Sequence, residues 1–235
     1  MMHCLLCDDY IAEEASWYSF FIRSHDRYIC NLCERKLSYI TGEFCHGCGR
    51  PLSSLDPAYR YGEICRDCMK WKEENCFPFI KNRSTYVYND GMKEILARFK
   101  FRGDAELVKV FQIGFVSTFQ KYFSNAQFLI PVPLSKEREY ERGFNQAERL
   151  AACLPIPILP TSLTRKETEK QSKKGRIERI AAANPFYFQE EECLTGQHLV
   201  IIDDVYTTGI TVRQVGELLY HAGAQSVSSL TLCRG

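Results

Sequence analysis

The stretch Val200-Ile201-Ile202-Asp203-Asp204-Val205-Tyr206-Thr207-Thr208-Gly209-Ile210-Thr211 decides the fold. Leu199 to Ile202 is continuously apolar, the pattern of a parallel-sheet strand covered on both faces. Asp203 and Asp204 follow at its carboxyl end, the edge at which open α/β sheets bind ligands. From Tyr206 to Thr211, backbone N–H groups and three threonine hydroxyls are available to wrap an anion, and a helix starting there favours negative charge through its dipole. Each residue alone has an ordinary explanation, because Thr and Asp cap helices and Gly makes turns. Taken in order, the string describes a diol held by two carboxylates beside a phosphate held by a helix start, which is a ribose 5-phosphate.

Working outward, strands alternate with helices. Ser84–Tyr88 reads as a strand, Asn89-Asp90-Gly91 as a turn, and Met92, Ile95, Leu96 and Phe99 stand at helical spacing. Lys100-Phe101-Arg102-Gly103-Asp104 breaks that helix, and a second amphipathic stretch runs from Ala105 to Phe123. Phe128–Leu134 is a buried strand ended by prolines. A charged loop from Ser135 leads to a helix over Gln146–Cys153, and Ile156–Leu163 makes another strand. After the opening stretch, Val212, Val215, Leu218 and Leu219 form one helix face, Gly223 ends it, and Val227–Leu232 is the final strand. The expected fold is α/β, a parallel sheet with helices on both faces.

Two basic segments belong to this part. Lys136, Arg138 and Arg142 follow a strand end, on the edge that Asp203 and Asp204 occupy, where they would meet a pyrophosphate; the ordinary alternative is a solvated, salt-bridged face. Thr164–Arg179 carries seven Lys or Arg against three Glu. It reads either as a solvated loop or as a lid that closes over a polyanion or touches a nucleic-acid backbone.

The first 68 residues have a different character. Eight of the twelve cysteines form four C-x-x-C pairs there: Cys4/Cys7, Cys30/Cys33, Cys45/Cys48 and Cys65/Cys68. Two such pairs complete a tetrahedral tetrathiolate site, and Zn²⁺ suits sulfur ligands without redox chemistry. Gaps of 22, 11 and 16 residues suggest two sites. Sequential pairing joins the first two pairs and the last two; crossed pairing remains an alternative. Disulfides are disfavoured in a reducing compartment, a thioredoxin-like site needs one C-x-x-C rather than four, and a [4Fe–4S] cluster is compatible with the spacing. A segment this short supplies little core. Structural zinc contributes on the order of 10–16 kcal/mol of folding energy in small fingers. The expected division is therefore a cysteine-rich zinc-binding region over 1–78, ending near Trp71–Pro78, and an α/β domain over 79–235.

A net charge of +1, 45% apolar residues and 25% charged residues describe a soluble globular chain with no global signal for nucleic acid. No apolar run approaches the ~20 residues that span a bilayer, and the N-terminus lacks the pattern of a secretory signal. The expected location is the cytoplasm, without membrane insertion.

The opening stretch resembles the phosphoribosyl-pyrophosphate (PRPP) loop of type I phosphoribosyltransferases. That resemblance implies that Asp203 and Asp204 contact the ribose hydroxyls, that Tyr206, Thr207, Thr208, Gly209 and Thr211 line the 5-phosphate, and that Mg²⁺ accompanies PRPP. The cysteine-rich start, Lys100–Asp104, Pro131-Val132-Pro133-Leu134, Arg142-Gly143-Phe144-Asn145-Gln146-Ala147, Leu163-Thr164-Arg165 with Gln171, and the PRPP loop occur in this order. Together they resemble the competence protein F (ComF/ComFC) family. Its implied properties are a double zinc-ribbon region, a phosphoribosyltransferase-like domain, and a role in natural transformation with single-stranded DNA and other competence proteins, including a helicase-like ATPase. Arg142, Gly143 and Asn145 match one family segment; Arg165 and Gln171 match its flexible active-site loop and join Asp203 and Asp204 as the catalytic candidates. Two further readings stand beside it. One is a salvage transferase that moves phosphoribose to a nucleobase, against which only 24 residues follow Thr211 to build a base-recognising segment. The other is a non-enzymatic nucleic-acid module.

Overall fold

The structure, a computed structural model, describes residues 2–11, 27–74, 78–101, 104–167 and 184–235. Its elements in chain order are α1 (Asn31–Glu34), β1 (Arg60–Tyr61), β2 (Ile64–Cys65), α2 (Arg66–Glu74), β3 (Asn82–Val87), α3 (Asp90–Phe101), α4 (Val108–Tyr122), β4 (Phe128–Pro131), α5 (Lys136–Arg142), α6 (Gln146–Ala151), β5 (Leu163–Arg165), β6 (Phe186–Phe188), β7 (His198–Tyr206), α7 (Ile210–His221) and β8 (Ser226–Arg234). Four strands form one parallel sheet in the order β3-β8-β7-β4, and β5 pairs antiparallel with β6. This is the parallel-sheet α/β architecture expected from the sequence. No helix among the described residues is long and apolar enough to cross a membrane.

Side-chain alternation along the strands divides the core into two. Val200, Ile202, Leu129, Leu230 and Leu232 pack on one face against Met92, Phe99, Phe111 and Phe115 of α3 and α4. Leu199, Ile201 and Ile130 pack on the other against Val212, Val215 and Leu219 of α7. The cysteine-rich region contributes to both. Cys4 and Cys33 join the first core, while Cys45, Cys48, Cys65 and Cys68 join the second. Backbone bonds stitch this region to β3, including Ile40 N–H to Thr85 O (3.0 Å), Val87 N–H to Ser38 O (2.8 Å) and Asn82 N–H to Gly47 O (2.8 Å).

Several elements depart from the sequence reading. β3 begins at Asn82, because its buried polar residues satisfy one another: Asn82 Nδ2 donates to Ser84 Oγ (2.9 Å) and to Cys48 O (3.1 Å), and Ser229 Oγ donates to Asn82 Oδ1 (2.9 Å). The strand expected over Ile156–Leu163 reduces to one parallel bridge, Leu129 with Ile158, before β5. Pro155, Pro157 and Pro160 have no N–H to give a ladder there. The charged stretch after β4, expected as a loop, forms α5, with Glu137 and Glu139 in its first turn and Arg142 in its last, charges that suit the helix dipole.

Candidate active site and metal centres

β7 continues past the acidic pair, so Asp203 and Asp204 lie inside the strand rather than after it. It pairs with β8 as far as Tyr206, but with β4 only as far as Ile202. The two acids therefore stand beyond the end of β4, with one flank free of a strand. Asp204 Oδ2 lies 2.5 Å from Lys100 Nζ, and both side chains are largely buried. Asp203 Oδ1 accepts the Asp204 N–H at 2.8 Å. Burial pushes the Asp203 carboxyl up to about 7, and the neighbouring Asp204 charge adds to the rise, while the Asp204 N–H, Lys100 and Arg165 oppose it.

Lys100 was not among the sequence candidates. α3 starts just after the carboxyl end of β3, and its last turn reaches Asp204 near the carboxyl end of β7. The helix thus follows the sheet's edge instead of returning to the opposite one. The Lys100–Asp104 segment enters the sequence reading as a helix break and as one segment of the family pattern, with no role given to Lys100.

Three arginines share the neighbourhood of the acids. Arg142 ends α5 and donates from Nη1 to Gln146 Oε1 at 2.7 Å. Burial holds its guanidinium below the usual range, and the charges of Asp204 and Asp203 oppose that shift. Arg165 closes β5 with its guanidinium 5.2 Å from the Phe186 ring centre. It is lowered by burial and by the like charges of Arg138 and Arg142, with Asp203 opposing. Of the expected basic group Lys136, Arg138 and Arg142, Arg142 is the one whose charge interacts with both acids, while Arg138 is exposed and acts on Arg142 and Arg165. Lys136 occupies the exposed first position of α5, and no ion pair among the described residues links it to the acids. Gln171, like most of Thr164–Arg179, lies outside the described residues.

The Arg142-Gly143-Phe144-Asn145 segment is a helix stop followed by a helix start. Gly143 takes φ +77°, where a side chain would be strained. Asn145 caps α6 by accepting the Ala147 N–H at 2.9 Å, and its Nδ2 donates to Val132 O at 3.1 Å, which fixes this turn to the end of β4.

At the loop, Gly209 has φ +81° and precedes α7. A Cβ there would sit 2.5 Å from Tyr206 Cζ and closer still to the phenol oxygen, so only glycine fits. Thr207 is exposed, and Thr208 and Thr211 are half-buried. The Tyr206 side chain is buried, so its main chain is what it offers at the loop. Its carbonyl accepts from Gly235 N–H (3.0 Å) and Arg234 Nη1 (3.1 Å).

The cysteines assemble sequentially, as Cys4, Cys7, Cys30 and Cys33 and as Cys45, Cys48, Cys65 and Cys68, with the sulfurs of each set within 4.8 Å of one another. Cys7 and Cys30 are separated by 3.6 Å and Cys48 and Cys65 by 3.7 Å. These separations are far longer than a disulfide bond, and they match the roughly 3.8 Å edge of a tetrahedron with Zn–S bonds of about 2.3 Å. Backbone N–H groups support the sulfurs, Leu6 to Cys4 (3.4 Å) and Cys65 to Cys45 (3.2 Å). Four thiolates at this spacing fit a structural Zn²⁺ with no open position for chemistry. All four cysteines of the second centre are buried, whereas Cys7 of the first is exposed.

Two family models match the chain: a double zinc ribbon domain over residues 2–69 and a phosphoribosyl transferase domain over residues 141–235. Competence protein ComFC of Bacillus subtilis is 44% identical, covering 98% of this chain and 94% of that protein. Competence protein ComFC of Streptococcus pneumoniae is 33% identical, covering 99% of this chain and 100% of that protein. The DNA utilization protein YhgH of Escherichia coli O157:H7 is 35% identical over 45% of this chain and 48% of its own length. The full-length matches span the two cysteine centres and the acidic loop alike, and the chain belongs to the ComFC family of competence proteins.

Proposed function

We propose that this protein is a DNA-uptake factor for natural transformation, whose phosphoribosyltransferase-like domain binds PRPP or a related ribose phosphate. The observation that carries the reading is the convergence of Asp203 and Asp204 with Arg142 and Arg165, next to the glycine turn that opens α7. In this proposal the two acids hold the ribose hydroxyls, and the loop from Tyr206 to Thr211 surrounds the 5-phosphate. Arg142, Arg165, Lys136 and Gln171 serve the pyrophosphate side. Mg²⁺ would bridge the diphosphate and the ribose diol.

Single-stranded DNA and other competence proteins, among them a helicase-like ATPase, are the proposed partners, and the cytoplasm the proposed location. Support comes from the names of the ComFC and DNA-utilization relatives and from paired cations and rings on the β5–β6 ribbon. Lys166 Nζ lies 5.2 Å from the Tyr187 ring centre, beside the Arg165–Phe186 pair. Cations and aromatic faces together suit a strand's phosphates and bases. Tetrathiolates are kept reduced in a cytosolic environment. The proposed division remains a zinc-binding region over 1–78 and a phosphoribosyltransferase-like domain over 79–235.

Calorimetric titration with PRPP and Mg²⁺, alongside transformation assays of Asp203→Ala/Asp204→Ala, tests the reading. Binding that disappears in the double variant, together with lost transformation, is expected. Absence of PRPP binding with normal transformation by the double variant defeats it, and pyrophosphate release on adding a nucleobase moves the assignment to a salvage transferase.

A further inference from the structure

Two arginines are buried on the sheet face that carries the second four-cysteine centre: Arg234, 3% exposed, and Arg213, 4% exposed. A buried guanidinium is unfavourable unless a counter-charge faces it. Among the described residues neither arginine forms an ion pair with a carboxylate. Among the described residues, none accepts a hydrogen bond from the three side-chain nitrogens of Arg213 or from Arg234 Nε.

What faces them is the metal centre and its supports. Arg234 Nη2 donates to Cys48 Sγ at 3.5 Å, while Nη1 of the same guanidinium donates to the Tyr206 carbonyl at 3.1 Å. The group also lies 5.0 Å from the Tyr206 ring centre. The Arg213 guanidinium sits between two rings, 4.5 Å from the Trp71 centre and 5.1 Å from that of Phe79. Trp71 follows Cys68 by one helical turn on α2. A divalent metal with four thiolates carries a net charge of about −2. The Arg234 guanidinium brings charge of the opposite sign. The first centre differs, because its exposed Cys7 leaves water to screen the cluster.

We propose that Arg234 is a positioning residue shared by the second metal centre and the loop that opens α7. It balances the tetrathiolate through Cys48 and holds the Tyr206 carbonyl with its other nitrogen, so the conformation of Tyr206–Thr211 depends on metal at Cys45, Cys48, Cys65 and Cys68. Arg213, in the first turn of α7, packs between Trp71 and Phe79 and takes no part in this hold. When the metal leaves, Cys48 is no longer fixed within the tetrathiolate, Arg234 loses its placed partner, and the hold on Tyr206 weakens. This deepens the ribose-phosphate reading by making that site metal-dependent, but the contact exists without any ribose phosphate and is tested without one.

The experiment uses the full chain loaded with zinc. Release of zinc to a chromophoric chelator is followed for the native protein, Arg234→Met, Arg234→Lys and Arg213→Met, with Cys7→Ser identifying the phase that belongs to the first centre. In parallel, hydrogen exchange by mass spectrometry reads the amides of residues 206–212 in each protein and in the native chain after chelation. Arg234→Met should release second-centre zinc at least about tenfold faster, the scale of outer-shell changes at metal sites, with Arg213→Met as the buried-arginine control. Loop exchange should rise in Arg234→Met while its zinc is still bound, and in the native chain once zinc is removed. If Arg234→Met does not fold, Arg234→Lys decides, because it keeps the charge and loses the fork: raised loop exchange with zinc bound supports the shared hold, and unchanged exchange overturns it. Zinc release at the native rate in Arg234→Met, or loop exchange indifferent to chelation, also overturns it. Failure of PRPP to bind would leave both readouts standing.

Discussion

Lys100, in the last turn of α3, forms a 2.5 Å ion pair with Asp204, near the end of β7. With the side chains 19% and 13% exposed, the pair is shielded enough that removing one partner strands the other. Lys100→Met should destabilise the protein by about 3 kcal/mol, the lower end for breaking a buried pair. Lys100→Met/Asp204→Asn should be less destabilised than the sum of its single variants, by about 0.5–3 kcal/mol. Urea unfolding of the four proteins measures that coupling, and additivity would remove the pair from the account of the site.

Asp203 makes the protein's stability fall with pH. Its carboxyl titrates near 7 in the folded chain instead of at the ordinary 3.8, so the folded state binds the proton more tightly than the unfolded state does. Its contribution is fully present below about pH 4 and is lost as the pH rises to about 7, after which it is constant. Asp203→Asn lacks this loss. Its melting temperature relative to the native protein should climb between pH 4 and 7 and level off above, as scanning calorimetry in matched buffers will reveal. PRPP affinity should change the other way, strengthening through pH 7 as the carboxylate needed for the ribose hydroxyls forms.

Gly209→Ala separates shape from chemistry in the loop. Its positive φ and its closeness to the Tyr206 ring predict a cost of about 1–3 kcal/mol and loss of PRPP binding together. Thr207→Ala, at an exposed position, should leave the melting temperature within error and weaken PRPP in titration calorimetry. A Gly209→Ala protein with native stability would contradict the strain argument.

The two cysteine centres should fail differently. Cys65 is 1% exposed and belongs to a core shared with Ile201 and Val215. Cys65→Ser should lose one zinc and most cooperative unfolding. Cys7→Ser, at the exposed corner of the first centre, should keep the second zinc and a cooperative transition at lower temperature. Zinc content by mass spectrometry, set beside near-ultraviolet circular dichroism, distinguishes these outcomes.

The parts of the molecule that were legible in the sequence are those written in local pattern. Leu199–Ile202 announced a covered strand by its apolar run, and four C-x-x-C spacings suggested two tetrathiolate centres but left sequential and crossed pairing open, which the three-dimensional grouping decides as sequential. Contacts between distant residues left no such trace. Nothing near Lys100 points to Asp204, and nothing near Arg234 points to Cys48. The α5 helix was hidden because seven mostly charged residues have no apolar period, and the start of β3 because Asn82 resembles a loop residue until Ser229 stands beside it. Three prolines between Pro155 and Pro160 made an apolar stretch look more strand-like than its backbone permits.

Sheet order has a consequence for how the molecule is made. β8 is an inner strand, between β3 and β7, and it is the last of the four in chain order. The cysteines leave the ribosome before β8 does, so Cys48 meets Arg234, and Asn82 meets Ser229, only after β8 has been synthesised. A nascent chain therefore carries the eight C-x-x-C thiols while β3 to β7 are still being made, before the scaffold that encloses half of them exists. Metal captured early would rest on a half-built mould, and final setting of the second centre waits for β8.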